Sequence, residues 1–203
     1  ELATQLFSAA QLICAVDGEQ RQRFEQLCQP NVVSLSDTGP EKKPDIRIVG
    51  SLKLNAFSTP VDETFADQLR VAAGSRPIVL AASTHSPEEQ ILLKASQEVV
   101  RAGYPHLLII APRHSNRSQN IARLMPQAAH RSKNQLPLLG DNHFLADSFG
   151  EMSSLVTAAD IVILGGSFVP KGGHNPLEIA ALSTPLITGP SQFKNKVEFD
   201  TLR

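Results

Sequence analysis

Residues 77–112 read "PIVLAASTHSPEEQILLKASQEVVRAGYPHLLIIAP". Two apolar runs, at 77–83 and 106–112, flank an amphipathic stretch of helical length at 86–103. A short apolar run, a helix and a second apolar run are typical of two parallel strands joined by a crossover helix. We expect Ser86 to cap the start of this helix and Gly103 to cap its end. The stretch predicts an α/β fold with a mainly parallel sheet.

The same alternation continues along the chain in both directions. Further strands are predicted at 12–16, 46–50, 160–166 and 184–190, with a weaker one at 136–140. Helices are predicted at 17–29, with Asp17 as its N-cap, and at 62–74 and 116–129. The final "NKVEFDTLR" matches no element. Prolines, lysines and turn residues collect between residues 36 and 61, which indicates a linker between two lobes. We therefore predict a remnant of one lobe at 1–50, a linker at 51–60 and a βα lobe at 61–203.

Composition narrows the class of protein. The chain has 203 residues, of which 41% are hydrophobic and 19% charged, a balance typical of a folded protein. Its formal charge of -1 provides no broad field for a nucleic acid, so we expect no nucleic-acid partner and a strictly local site for any phosphate. Cys14 and Cys28 lack the partners of a zinc site, and two cysteines indicate no disulfide scaffold. The chain begins with Glu1 and shows no membrane anchor, and we expect it to continue at both ends.

Polar residues follow the predicted strands, where ligands of parallel sheets bind. Ser83 and His85 follow the run at 77–83, and both a ligand role and a structural role stay open for them. Pro112 and Arg113 end the run at 106–112, and a guanidinium suits two-point binding of a phosphate, although a solvated surface Arg is the alternative. Further along, "GEM" at 150–152 opens a predicted short helix whose backbone N–H groups face an anion or a base edge, unless this is an ordinary capped start.

The strongest functional pattern is "GGSFVPKGGHNPLE" at 165–178. Its two Gly pairs permit close approach of backbone to a ligand. "HNPLE" predicts a helix with Asn175 as N-cap, Pro176 at the first position and Glu178 at the third. A capping box accounts for Asn175 and Glu178 without any function, but it does not account for the glycines and His174. A carboxylate such as Glu178 accepts hydrogen bonds from both hydroxyls of a ribose. Because the same carboxylate would repel a phosphate, we expect the phosphate beside the Gly backbone and Arg113.

These motifs, "AASTH", "PRH", "GEM" and "GGSFVPKGGHNPLE" in that order, resemble the donor lobe of 3-deoxy-D-manno-octulosonic acid (Kdo) transferases, which are GT-B glycosyltransferases. The resemblance spans about residues 46–190. Two departures are "GSLKLN" at 50–55, where the family has "GNLKFD", and Ile179, where proline is common. The resemblance implies a Rossmann-like C-terminal lobe of the GT-B fold, with a remnant of the N-terminal lobe before it.

The resemblance also implies site residues and chemistry. The CMP contacts would be Pro112, Arg113, Gly150, Glu151, Met152, Asn175, Pro176, Leu177 and Glu178. Further donor contacts would be Ser83, His85, Gly165, Gly166, Ser167, Gly173 and His174. The family's general base lies on the N-terminal acceptor lobe, so no catalytic residue is assigned here and we expect these 203 residues to be inactive alone. Kdo would pass from CMP-Kdo to a lipid A precursor with inversion, without a metal or a cofactor. The full-length protein would sit at the cytoplasmic face of the inner membrane as a peripheral protein.

Two other interpretations remain open on the residues. A GT-B transferase or epimerase that uses another nucleotide sugar would also place a Glu on the ribose. A non-catalytic nucleotide-binding fragment would bind the nucleotide without any transfer. A comparison of CMP with UDP separates the first of these from a Kdo transferase.

Overall fold

The computed structural model describes residue 7 and residues 9–28, 44–50 and 60–202. The chain divides into two compact units, residues 1–56 and 57–203. The predicted linker at 51–60 lies outside the described residues except for Pro60, and so do the residues of "GSLKLN" other than Gly50. The assignment of residues 1–50 to an acceptor lobe stays a prediction.

The first unit contains one βαβ arrangement. Strands β1 (Leu12–Ala15) and β2 (Asp45–Ile48) are parallel, with Ile13 beside Ile46, and helix α1 (Gly18–Leu27) follows β1. The Asp17 carboxylate accepts a hydrogen bond from the Gln20 backbone N at 2.7 Å, so the predicted N-cap is confirmed.

The second unit is a parallel sheet with helices on both faces, which confirms the predicted α/β fold. Within residues 60–202, six strands line up in the order β5-β6-β4-β3-β7-β8, and every neighbouring pair is parallel. The strands are β3 (Ile78–Thr84), β4 (Leu107–Pro112), β5 (Ala129–His130), β6 (His143–Leu145), β7 (Ile161–Leu164) and β8 (Leu186–Thr188). The helices are α2 (Glu63–Ala73), α3 (Glu88–Arg101), α4 (Ser118–Leu124), α5 (Met152–Ala158), α6 (Leu177–Ala181) and α7 (Lys196–Thr201).

Alternating strand residues supply two separate cores. Leu80 and Ile109 belong to the core that also holds buried side chains of α2, α5, α6 and α7. Ala81 and Ile110, their neighbours in sequence, belong to the core that contains residues of α3 and α4. Successive side chains of a strand point to opposite faces, so a strand buried on both faces needs the continuous apolar runs seen in this sequence.

The strand order creates a crevice between β3 and β7. From β3 the chain passes over one face through α3 to β4, on one side of β3. The strand on the other side of β3 is β7, and the helix after it, α6, packs on the opposite face. The connections after these two neighbouring strands therefore diverge, which opens a crevice at their carboxyl ends. The loop at 165–178 leaves β7 at this point.

Several local predictions were wrong. Residues 136–140 form no strand, because Asp141 accepts from the Leu138 backbone N and closes a turn in which Leu138 and Leu139 are exposed. The short strands β5 and β6 were not predicted. Strand β5 begins at Ala129, the last residue of the helix predicted at 116–129. The tail predicted to match no element forms α7, which buries Phe199.

The caps of α3 also differ from prediction. Pro87, after a cis Ser86–Pro87 bond, occupies the N-cap position, and no side-chain cap bond is formed by Ser86. Ala102 is the C-cap instead of the predicted Gly103. Gly103 is the next residue, and its φ is +92°. Glycine is typical of that next position, because its left-handed backbone carries no Cβ penalty there.

Candidate functional site

The ends of β3 and β7 approach so closely that only glycine fits at one position. A Cβ placed on Gly165 would lie 2.4 Å from the Ser83 carbonyl oxygen, well inside contact distance. Ser83 itself has φ +54°, a left-handed conformation that costs free energy for a residue with a side chain. Gly166 follows with φ +68°. Backbone strain of this kind collects at ligand sites, which agrees with the predicted role of the loop.

The buried carboxylate of Glu88 holds the glycine-rich loop to the start of α3. Its Oε2 accepts from the backbone N of Gly166 and of His85, each at 2.8 Å, and its Oε1 accepts from the Phe168 backbone N at 3.1 Å. Glu88 is 1% exposed, so these three donors replace water around its carboxylate. Glu88 was not predicted as a site residue, and no local pattern marks it, because two of its donors lie about 80 residues away in the sequence.

A second segment, residues 189–195 after β8, holds the loop from the other side. The Ser191 hydroxyl accepts from the Gly172 backbone N at 3.0 Å, and the Lys194 backbone N donates to the Gly172 carbonyl at 3.1 Å. The buried Asn195 side chain donates to the Gly173 carbonyl at 2.8 Å. This segment was not predicted to belong to the site, and its sequence carries no signal for that role.

Ser167, predicted as a donor contact, faces into the fold. Its side chain is fully buried, and its hydroxyl donates to the Leu164 carbonyl and accepts from the Gly189 backbone N at 2.8 Å. The hydroxyl is therefore occupied in joining the two strand ends and supports the loop from within.

Two predicted donor contacts meet each other across the crevice. The Nε2 atoms of His85 and His174 lie 2.9 Å apart, with the ring planes within 6°. One ring must donate and the other accept, so the pair holds a single proton between these atoms. Burial lowers the pKa of His174 to about 4, helped by electrostatic interaction with His85 and with Arg113. Burial also lowers the pKa of His85. Both rings are therefore neutral near pH 7.

A third imidazole, His114, packs edge-on against His85 at 5.7 Å between ring centroids. Within the part of the chain that the structure describes, no group of three or more His, Cys, Asp or Glu side chains is placed to hold a metal ion.

The two arginines after β4 have different surroundings. Arg117 forms a two-point ion pair with the buried Glu89, at 2.7 Å and 2.9 Å. Burial by itself would raise the pKa of Glu89, but hydrogen bonds from Arg117 and Thr84 outweigh it and the pKa is lowered. Arg113 is exposed, and no hydrogen bond or ion pair to its guanidinium occurs among the described residues. Arg113 is thus the guanidinium available to a ligand, whereas Arg117 serves the fold.

The residues of "GEM" lie at the start of α5, as predicted. Gly150 has φ +83°, Glu151 is the N-cap residue and Met152 opens the helix. The Glu151 carboxylate is paired with Arg131 at 2.5 Å and 2.9 Å and accepts from the Ser148 hydroxyl. Burial by itself would raise the pKa of Glu151, but these bonds outweigh it and the pKa is lowered. A ligand here would therefore meet the backbone of this segment, because the carboxylate already has partners.

Helix α6 begins one residue later than predicted. Pro176 is the N-cap residue, while the Asn175 side chain accepts from the Leu177 backbone N at 3.2 Å. Glu178 therefore occupies the second helical position instead of the third. Its side chain is exposed, and no hydrogen bond or ion pair to it occurs among the described residues. The capping box that would have explained Glu178 without function is not formed, which leaves its carboxylate free for a ligand.

A cavity of about 830 Å³ opens beside this site, beyond the ends of β4, β5 and β6. Its walls include Ser115, Gln119, His130, Lys133 and the buried Asp147. None of its described lining residues is a predicted CMP contact, although Phe149 at its rim directly precedes Gly150. The predicted CMP contacts therefore lie outside the walls of this cavity.

The described helices are all too short or too polar to cross a bilayer.

Known proteins resemble this chain along most of its length. The 3-deoxy-D-manno-octulosonic acid transferase of Haemophilus influenzae is 36% identical over 194 residues, which cover 93% of this chain and 42% of that protein. The probable mitochondrial 3-deoxy-D-manno-octulosonic acid transferase of Arabidopsis thaliana is 31% identical over 93% of this chain and 41% of that protein. The chain thus spans less than half the length of these relatives. No protein-family model matches it.

A solved structure gives the corresponding match in three dimensions. The C-terminal CMP-Kdo binding domain of WaaA from Acinetobacter baumannii superimposes with a TM-score of 0.61 and 32% sequence identity. The match covers 68% of this chain and 76% of that domain. With this fold, the glycine-rich loop at its crevice and these relatives, the chain belongs to the 3-deoxy-D-manno-octulosonic acid transferase family.

Proposed function

We propose that residues 60–202 bind CMP-Kdo as the donor-binding part of a glycosyltransferase that transfers Kdo to a lipid A precursor in lipopolysaccharide biosynthesis. The proposal rests on one observation, which is that the glycine-rich loop is held in place from both sides. Glu88 fixes one side of this loop and residues 189–195 fix the other, while the exposed side chains of Arg113 and Glu178 form no hydrogen bond or ion pair among the described residues. The likeness to a CMP-Kdo binding domain supports CMP-Kdo as the ligand.

Each part of a CMP ester has a suitable partner on this edge of the sheet. Arg113 can donate two parallel hydrogen bonds to the phosphate. The exposed Glu178 carboxylate can accept from both ribose hydroxyls. The backbone of residues 150–152, with Gly150 in a left-handed conformation, is available to the edge of the base. Because the carboxylate of Glu151 is paired with Arg131, it does not repel the phosphate as a free charge would.

For the complete enzyme we propose a direct displacement. A carboxylate on the acceptor lobe would take the proton of the acceptor hydroxyl while that oxygen attacks the anomeric carbon of Kdo. The bond from that carbon to the CMP phosphate oxygen would break on the opposite side, which inverts the configuration. The leaving phosphate would gain charge, and Arg113 would stabilise it there. We propose that no metal ion is required, since the sequence contains no Asp-x-Asp pair.

Isothermal titration of the chain with CMP and with UDP tests the binding step. We expect CMP to bind, UDP to bind more weakly, and EDTA to leave the affinity for CMP unchanged. Equal affinities for CMP and UDP would favour an enzyme that uses another nucleotide sugar. Failure of CMP to bind to the correctly folded chain would refute the proposal.

A further inference from the structure

Beside the His85–His174 pair lies a group of cations that CMP alone does not need. Arg113 and Lys194 both act on His174, and Lys171 acts on His85, in each case by lowering the pKa of the imidazole. Lys171, Lys194 and Arg113 are exposed, and their side chains make no ion pair or hydrogen bond among the described residues. These three exposed side chains therefore present positive charge at the crevice, where the described carboxylate that acts on His85 is the buried Glu88, which raises the pKa of that imidazole.

Lys194 is fixed in this group by the glycine-rich loop. Its backbone N donates to the Gly172 carbonyl at 3.1 Å, and its side chain lies against Gly172 so closely that a Cβ there would meet the Lys194 Cγ at 2.6 Å. Gly172 also has φ +87°. The aliphatic stem of Lys194 thus packs against Gly172, two residues before His174 in the loop.

The charge of the donor shows what this group fits. CMP-Kdo carries one negative charge on its phosphodiester and a second on the carboxylate of the octulosonic acid. If Arg113 binds the phosphate, the remaining cations face a second anion on the sugar side of the loop. An ammonium group is a compact point charge that suits a single carboxylate. The His85–His174 pair is neutral, so its ring nitrogens add no further positive charge to that of the two lysines.

We propose that Lys194, assisted by Lys171, binds the carboxylate of the donor sugar and so determines selectivity for CMP-Kdo over CMP. This inference rests on the proposed function, since it assumes that CMP-Kdo is the ligand. Lys194 would be a specificity-determining residue that contacts the donor without taking part in the proton transfer.

Titration of Lys194→Met with CMP and with CMP-Kdo tests the inference, because Met keeps the stem that covers Gly172 and removes the charge. We expect the Kd for CMP-Kdo to rise roughly ten- to hundredfold, the range for loss of a charge-assisted hydrogen bond, while the Kd for CMP changes less than twofold. Lys171→Met should give a smaller change in the same direction, and Lys194→Arg should retain the selectivity. Lys196→Met removes an exposed charge two residues further along and serves as the matched control, with both affinities unchanged.

The outcomes separate the two proposals. If wild-type protein binds CMP but Lys194→Met leaves the ratio of the two affinities unchanged, the carboxylate assignment is wrong and the proposed function stands. An equal loss of both affinities would place Lys194 at the phosphate and would also overturn the assignment. If the folded wild-type protein does not bind CMP, the proposed function itself fails. Circular dichroism and urea unfolding of each variant confirm that the fold is retained.

Discussion

Arg117 and Glu89 form a two-point ion pair in which the carboxylate is almost fully buried, whereas Arg113, four residues earlier, has an exposed guanidinium. The two arginines follow the same strand and carry the same charge, yet their substitution should have different consequences. One arginine neutralises a carboxylate inside the protein. The other is available to a ligand.

Arg113→Ala should weaken CMP binding by roughly 1.5–3 kcal/mol, the range for a hydrogen bond to a charged group, and should change the free energy of unfolding by less than about 0.5 kcal/mol. Arg117→Ala should destabilise the fold by about 3 kcal/mol, because it leaves the buried Glu89 carboxylate without its partner. Titration calorimetry and urea unfolding of both variants measure the two effects. Normal CMP affinity in Arg113→Ala would remove Arg113 from the phosphate site.

Glu88→Gln should lower both stability and CMP affinity. An amide places an NH₂ group where the carboxylate now accepts backbone N–H bonds, so at least one donor among Gly166, Phe168 and His85 loses its acceptor. We expect a loss of roughly 2–3 kcal/mol in the free energy of unfolding and faster hydrogen exchange of the Gly166 amide.

The exposed Glu98, which pairs with Arg101 on the surface, is the matched control, since Glu98→Gln removes the same charge without affecting the loop. If Glu88→Gln exchanges the Gly166 amide as slowly as the wild type, Glu88 does not fix the loop.

The stability of the protein should fall on acidification, because His174 binds a proton in the unfolded chain at a pH at which it remains neutral in the folded protein. The folded-state pKa of His174 is about 4, below the ordinary value of 6.5, so the unfolded chain takes up this proton more readily than the folded chain. The contribution is fully present above pH 6.5, is lost progressively between pH 6.5 and 4, and does not change further at lower pH. His174→Gln should therefore show a shallower decline of Tm over this range than the wild type.

Imidazole ¹⁵N NMR provides the direct measurement, since it reports the protonation state of each ring. His174 should remain neutral at pH 5.5, and the shared proton should give His85 and His174 different tautomers. A titration midpoint near pH 6.5 for His174 would show that the folded protein does not lower the pKa of this imidazole.

Glu178→Gln should reduce donor affinity without affecting the fold. The side chain is exposed and forms no capping bond within the described residues, so the expected change in the free energy of unfolding is under about 0.5 kcal/mol. Gln has one carbonyl acceptor where Glu has two oxygens, and binding of the ribose diol should weaken. In a full-length enzyme the same substitution should raise the donor KM, whereas loss of the general base should mainly lower kcat. Abolished turnover with intact affinity would instead make Glu178 the base.

The sequence by itself determined the elements whose patterns are local and long. The apolar runs that became β3 and β4 are buried on both faces, and such strands differ from their flanks along their whole length. The cap at Asp17 is also local, since its donor lies three residues away. The glycine-rich loop was recognised because several residues with unusual backbone requirements lie together in it. Strands β5 and β6, of two and three residues, were missed because so few residues carry no periodicity.

Only the tertiary structure decided which side chains meet. His85 and His174 are 89 residues apart, and Glu88 lies 78 residues from Gly166, so no local pattern marks either contact. Arg113 and Arg117 look equivalent in sequence, and the position of Glu89 on α3 distinguishes them. Residues 189–195 contact the loop because β8 lies beside β7 in the sheet. The physical reason is common to all of these: hydrogen bonds and ion pairs between distant residues depend on the strand order, which is set by burial of the whole sheet rather than by any one segment.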